Sequence, residues 1–94
     1  MVIRSIKHRG LKRFVETNDA RDINGDLVSR IRNILAALVA APDMGGVQGP
    51  SGWHVHQLRG DRDGTWSISA SGNWRVTFDV EDGAIINLNL EDYH

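Results

Sequence analysis

Six residues of this 94-residue chain carry side chains that could together move protons around a phosphate: His56, Arg59, Arg75, Asp92, Tyr93 and His94. Cleavage of RNA by its own 2′-hydroxyl needs one group to take the 2′-OH proton and another to protonate the departing 5′-oxygen. It also needs fixed cations against the charge that grows on the phosphorane. Imidazole suits both proton transfers, because its ordinary pKa lies near ~6.5. The nucleophile belongs to the substrate, so this chemistry calls for no metal and no cofactor. A metal is the competing use of the histidines. His54 and His56 lie two apart on a strand candidate and would share a face, with His94 or Asp92 as a third ligand. His-x-His alone is a weak pattern, and no metal site is expected. Taken singly, Arg59 and Arg75 read equally well as ion-pair residues, and Asp92-Tyr93-His94 as the polar end of a strand.

The elements that would position these groups follow from hydrophobic period. Val2-Ile3-Arg4-Ser5-Ile6 is a strand candidate, and Leu11, Phe14 and Val15 at i, i+3, i+4 predict a short helix from Leu11 to about Thr17. Leu27, Ile31, Ile34, Leu35 and Leu38 form one apolar stripe of a longer helix, capped by Asn24 and stopped near Ala41 by Pro42. Asp26 and Arg30 stand one turn apart on its outer side and could pair. Residues 42–52 form a glycine-rich loop. The period then changes to two. Strand candidates run over Trp53–Leu58, Thr65–Ala70, Trp74–Val80 and Ala84–Leu90, separated by turns at 60–64, Ser71-Gly72-Asn73 and Asp82-Gly83. In the last strand Ile86, Leu88 and Leu90 share a phase that Asp92 and His94 continue. The expected fold is α+β: one domain over residues 1–94, order β-α-α-β-β-β-β, with two N-terminal helices packed on one face of a mainly antiparallel sheet. Trp66 and Trp74 belong to its core.

The chain has no cysteine, which excludes disulfides, thiolate metal sites and cysteine nucleophiles. No segment has the length of a membrane span, and Met1-Val2-Ile3-Arg4 lacks the apolar run of a leader, so a cytoplasmic protein away from membranes is expected. Net charge is −1 but unevenly spread. Residues 1–13 carry Arg4, Lys7, Arg9, Lys12 and Arg13 without an acid, and residues 76–94 carry Asp79, Glu81, Asp82, Glu91 and Asp92 without a Lys or Arg. The two segments either neutralise each other in the fold or leave a basic surface for a polyanion.

HQLRGDRDGTWSI, GNWRVTF, the Asp82-Gly83 turn and the terminal LEDYH, together with the opening IKHRGLKRF, resemble the HigB-type killer toxins of toxin–antitoxin modules, a branch of the RelE superfamily. The resemblance covers nearly the whole chain and implies a RelE-like fold. It implies a ribosome-dependent endoribonuclease that cuts messenger RNA in the A site of the 70S ribosome. A cognate HigA-type helix-turn-helix antitoxin would hold it inactive, with operator DNA reached only through that antitoxin. By motif, the family's functional positions fall on His56, Arg59, Arg75, Asp92, Tyr93 and His94. Arg59 stands where the family commonly has Lys, which keeps the charge but removes a titrating amine. On this reading His94 and Asp92 act on the 2′-OH side and His56 is the partner in proton transfer, the histidines being acid and base in either order. Arg59 and Arg75 bind the scissile phosphate, and Tyr93 orients the nucleotide. Lys7, Arg9, Lys12 and Arg13 are candidates for contact with ribosomal RNA. A ParE-like toxin that binds and inhibits DNA gyrase is the alternative that the same scaffold allows.

Overall fold

In the computed structural model, which describes residues 1–92, the apolar stripe of the long helix and one face of a sheet close on each other. Helix α1 spans Arg9–Thr17 and α2 spans Gly25–Ala40. The strands are β1 (Val2–Ile3), β2 (His56–Gln57), β3 (Trp66–Ser71), β4 (Trp74–Glu81) and β5 (Ala84–Asp92), arranged β1-β5-β4-β3-β2. All neighbouring strands are antiparallel except β1, which pairs in parallel with β5 through Val2 opposite Ala84 and Ile3 opposite Ile85. The α+β architecture with two helices before the sheet is as expected.

Leu27, Ile31, Ile34, Leu35 and Leu38 of α2 are all buried, against Ile68, Ala70, Val76, Phe78, Ile85, Leu88 and Leu90 of the sheet. Asn24 caps α2 through its side-chain oxygen, which accepts from the Asp26 amide at 3.0 Å, and Ala41 ends it. The Met1 ammonium sits at the far end of α2 and donates to the carbonyls of Leu38, Val39 and Ala41. It places a cation where the helix leaves unpaired oxygens and the negative end of its dipole. Trp66 and Trp74 pack against the core while half-buried.

Four local expectations need correction. Helix α1 begins at Arg9, two residues earlier than the apolar spacing implies, because His8 Nδ1 accepts from the Leu11 amide at 3.0 Å and acts as the cap. The segment 53–58 is not one strand: Ser51–Trp53 forms a single 3₁₀ turn, His54 is left-handed (φ 47°), and only His56–Gln57 pairs with β3. Arg30 does not turn to Asp26; its Nη1 donates to the Ala70 carbonyl at 3.3 Å. In β5 it is Ile85 that enters the core. A bulge with Asn87 at φ 55° shifts the register between Thr77–Asn89 and Asp79–Ile86, so Ile86 falls on the other face while Leu88, Leu90 and Asp92 keep one phase.

Gly10, buried inside α1, is required by close approach. A Cβ there would stand 2.7 Å from Asp22 Cβ and 2.9 Å from the Asp22 carbonyl oxygen. Helix propensity alone favours alanine by roughly 0.8–1.0 kcal/mol. Overpacking of this contact costs about 1–3 kcal/mol, so Gly10→Ala is expected to lower stability. Urea denaturation checks the sign, and an equal or higher midpoint would refute the packing argument.

Candidate active site

The face of the sheet away from the helices is polar in rows set by strand register. Residues directly opposite in antiparallel strands point to the same side. One row runs His56, Ser67, Thr77, Asn89, and the next, toward the β3–β4 turn, runs Ser69, Arg75, Glu91. The turn that ends these rows is Gly72-Asn73, with Gly72 at φ 40°, a backbone that glycine adopts without steric cost.

Arg75 is held at this end of the sheet. Its Nη1 donates to Ser69 Oγ (3.0 Å), the Gly72 carbonyl (2.9 Å) and the Trp74 carbonyl (3.3 Å). The guanidinium is thereby drawn toward the turn. Asp92 lies opposite Trp74 at the same end of the sheet, exposed and in the phase of Leu90 on the helix side. The structure therefore brings Arg75 and Asp92 to one end of the sheet from opposite faces. His56 is exposed on the polar face one row away, with its Nδ1 2.5 Å from the His54 carbonyl. Because His54 is off the strand, the period-two rule that would place the two histidines on one face does not apply. Arg59 is exposed just before the 3₁₀ turn Gly60–Arg62 and makes no ion pair among the described residues. Tyr93 and His94 lie outside the described residues.

Two carboxylates that motif reasoning did not single out organise the polar face. Glu91 accepts from Arg62 Nη1 (2.8 Å) and Nη2, and also from the buried Thr77 hydroxyl, so the turn after β2 is tied across the sheet to β5. Asp79 accepts from Thr65 Oγ1 (2.7 Å) and from Asn87 Nδ2 at the bulge (2.9 Å). The Arg62 hydrogen bonds hold the Glu91 carboxyl below its ordinary range, and Thr77 adds to this against the opposing effect of burial. Asp79 is lowered chiefly by Thr65 and then by Asn87. The signals that could have found them are the polar phase of β4 and β5 and the lack of Lys or Arg in residues 76–94, which obliges those acids to find partners among other residues.

Both carboxyls titrate lower in the folded chain than in the unfolded one. Their stabilisation is complete above the unfolded carboxylate range and is lost as pH falls through the depressed folded values. Glu91→Gln should therefore cost roughly 1 kcal/mol at pH 7 and progressively less in acid. Chemical denaturation at pH 7, 5 and 3 reads this directly, and a deficit that stays constant across that range would contradict the assignment.

The basic segment is partly neutralised. Arg4 approaches Glu81 (3.9 Å), and Arg13 approaches Asp22 (3.5 Å) and Asp19 (3.9 Å). Lys7, Arg9 and Lys12 are exposed, and Lys7 lies near enough to Asp79 and Glu91 to favour their charged forms. No helix among the described residues is long and apolar enough to cross a membrane.

The chain is 39% identical over 93 residues, covering 99% of its length and all of the relative's, to Endoribonuclease HigB of Proteus vulgaris. At the level of fold it is similar to a copper-bound mutant toxin from Helicobacter pylori (TM-score 0.65, 16% identity, 98% and 94% of the two chains covered). It is likewise similar to a point mutant of YafQ from E. coli (TM-score 0.64, 10% identity, 98% and 93% covered). A third likeness is to the YoeB-YefM complex of Staphylococcus aureus (TM-score 0.60, 16% identity, 100% and 98% covered). A family model described as RelE-like toxin of type II toxin-antitoxin system HigB matches residues 4–94, and the chain belongs to this HigB-like toxin family.

Proposed function

We propose that this toxin is an endoribonuclease that acts on messenger RNA in the A site of the translating ribosome. The supporting observation is Arg75, fixed by three oxygen acceptors at the sheet end to which β5 also delivers Asp92. A cation oriented in advance offsets phosphorane charge without reorganising during the reaction. The substrate's 2′-hydroxyl is the nucleophile. Asp92 and His94 act on its proton, directly or by one orienting the other, and His56 is the second proton-transfer partner. Arg59 joins Arg75 on the phosphate, and Tyr93 orients the nucleotide by stacking or hydrogen bonding. The chemistry asks for no metal. The 39% identity to a protein named an endoribonuclease, over the full length of both, supports the activity. The family supports an antitoxin partner, which we take to be of the HigA helix-turn-helix type, with the pair acting in the cytoplasm.

Mapping of message ends after brief expression tests the reading. Cuts phased with codons are expected, and they should vanish when initiation is blocked. DNA damage without message cleavage would instead indicate a gyrase inhibitor. The exposed Lys7, Arg9 and Lys12, with Arg13, supply phosphate contacts to ribosomal RNA on this proposal. Reversing those four charges should cut co-sedimentation with ribosomes at low salt by about tenfold or more, on the order expected for loss of several phosphate contacts. Unchanged sedimentation would remove this segment from the interface.

A further inference from the structure

A cavity of about 620 Å³ lies between α2, the loop at residues 48–53 and the β3–β4 turn. Its volume falls within the range of small-molecule sites, roughly 300–1,000 Å³. The bulge in β3 helps to shape it. Ser69 opposes Arg75 and Ser71 opposes Trp74, so Ala70 is the extra residue, and Arg30 satisfies its carbonyl from α2. Such a bulge bends its strand.

One wall is the indole of Trp53, which packs against the core and is half-buried. Gly49 lies flat on that ring: a Cβ at Gly49 would stand 2.2 Å from indole Cε3 and Cζ3. The loop closes on the indole only because residue 49 has no side chain, and the ring is fixed as a result. Around it stand the Arg30 guanidinium and the amides of Asn33 and Gln48. Neither amide has a hydrogen-bond partner among the described residues. A rigid aromatic plate, two amides that each donate and accept, and one guanidinium are the groups that recognise a nucleobase. The part of the indole that Gly49 and the core leave open stacks the base, the amides read its edge and the cation meets the neighbouring phosphate.

The cavity also adjoins the proposed phosphate site. Ser69 and Gly72 line it, and both accept hydrogen bonds from Arg75. A base seated in the cavity would be separated from the phosphate that Arg75 holds on this proposal by Ser69 and Gly72, which touch both the cavity and Arg75. We propose that this cavity, built on Trp53 with Asn33, Gln48 and Arg30, is a subsite for an unpaired RNA base flanking the scissile bond. The inference rests on the endoribonuclease reading. It adds a place where base preference is set, away from the proton-transfer groups.

The test is a titration of the ¹⁵N-labelled protein with 2′-O-methyl RNA trinucleotides, which cannot be cut, alongside message mapping with the same variants. The Trp53 Nε1–H and the side-chain amides of Asn33 and Gln48 should shift in a saturable way. Trp53→Ala should weaken binding about tenfold or more, in line with loss of one stacked base. The double variant Asn33→Ala, Gln48→Ala removes two exposed amides and leaves the core untouched, so it guards against a folding artefact at Trp53. It should weaken binding several-fold and redistribute cuts among codons. If the trinucleotides bind without moving these signals, or if the double variant keeps wild-type affinity and cut positions, the subsite is overturned while cleavage stands. If the cavity signals shift but the wild-type protein cuts no message, the endoribonuclease reading falls and an RNA-base site remains.

Discussion

Alanine at Arg75 is expected to slow cleavage of message on programmed ribosomes by about two to three orders of magnitude, the loss typical for removal of one prearranged charge-stabilising group. The chain spends three hydrogen bonds on the Arg75 Nη1, to Ser69 Oγ and two carbonyls around the turn. This anchoring removes the freedom a long side chain would otherwise lose in the transition state. Lysine should restore little, because a single ammonium on a flexible stem does not reproduce a planar fork held at one of its nitrogens. Of the acceptors left behind, the Gly72 carbonyl is exposed and the other two belong to half-buried residues, so the thermal midpoint should move little. That separates chemistry from folding. His94→Ala belongs in the same experiment, and wild-type rates from both variants would sink the proposed site.

A comparable loss by another route is expected from Phe78→Ala. Phe78 is 1% exposed and the largest fully buried side chain among the described residues, placed on β4 between Val76 and Val80 on the helix-facing side. Its removal should cost roughly 3–5 kcal/mol, the transfer of the ring plus a cavity that the sheet cannot fully close. Domains of this size are stable by about 5–15 kcal/mol, and each kcal/mol shifts the midpoint by roughly 4–8 °C. The midpoint should therefore fall by at least about 12 °C. Circular dichroism melts and urea titrations measure this, and a deficit below about 1 kcal/mol would show that the core repacks around the gap. Because Arg75 lies three residues away on the same strand, activity should fall with the folded fraction and recover on cooling.

Helix α2 was legible because three signals agree on it: an apolar stripe, an Asn cap and a proline stop. The β3–β4–β5 hairpins were legible because Gly72-Asn73 and Asp82-Gly83 supply the backbone that tight turns demand; Asp82 and Gly83 both have positive φ. What escaped depends on partners far away in sequence. The exchange of Ile86 for Ile85 in the core follows from the Asn87 bulge, and the Asn87 amide donates to Ser5 Oγ, 82 positions earlier. The alternation of Trp53 and Val55 with His54 and His56 imitates a strand. Trp53 packing on Gly49 instead sets a 3₁₀ turn, and that contact has no signature in periodicity. Of the candidate site, the residue types at Arg75 and Asp92 could be read from motif, but not their arrival at one sheet end. Their approach from opposite faces, the anchoring of Arg75 by Ser69 and Gly72, and the Arg62–Glu91 tie could not, since register and side-chain geometry decide them.

The parallel pairing of β1 with β5 bears on how the chain reaches its fold. Val2 meets Ala84 and Ile3 meets Ile85, so one edge of the sheet joins nearly the first residues to nearly the last. The β3–β4–β5 hairpins form from neighbours and are fast elements, whereas this edge closes a loop of about 80 residues and carries an entropic cost that no local contact offsets in advance. Folding should therefore finish with capture of β1 by a preformed hairpin stack. During synthesis the amino-terminal strand has no partner until β5 has left the ribosome. The polar rows that position Arg75 can assemble before that step, but the sheet edge beside them remains open until it occurs.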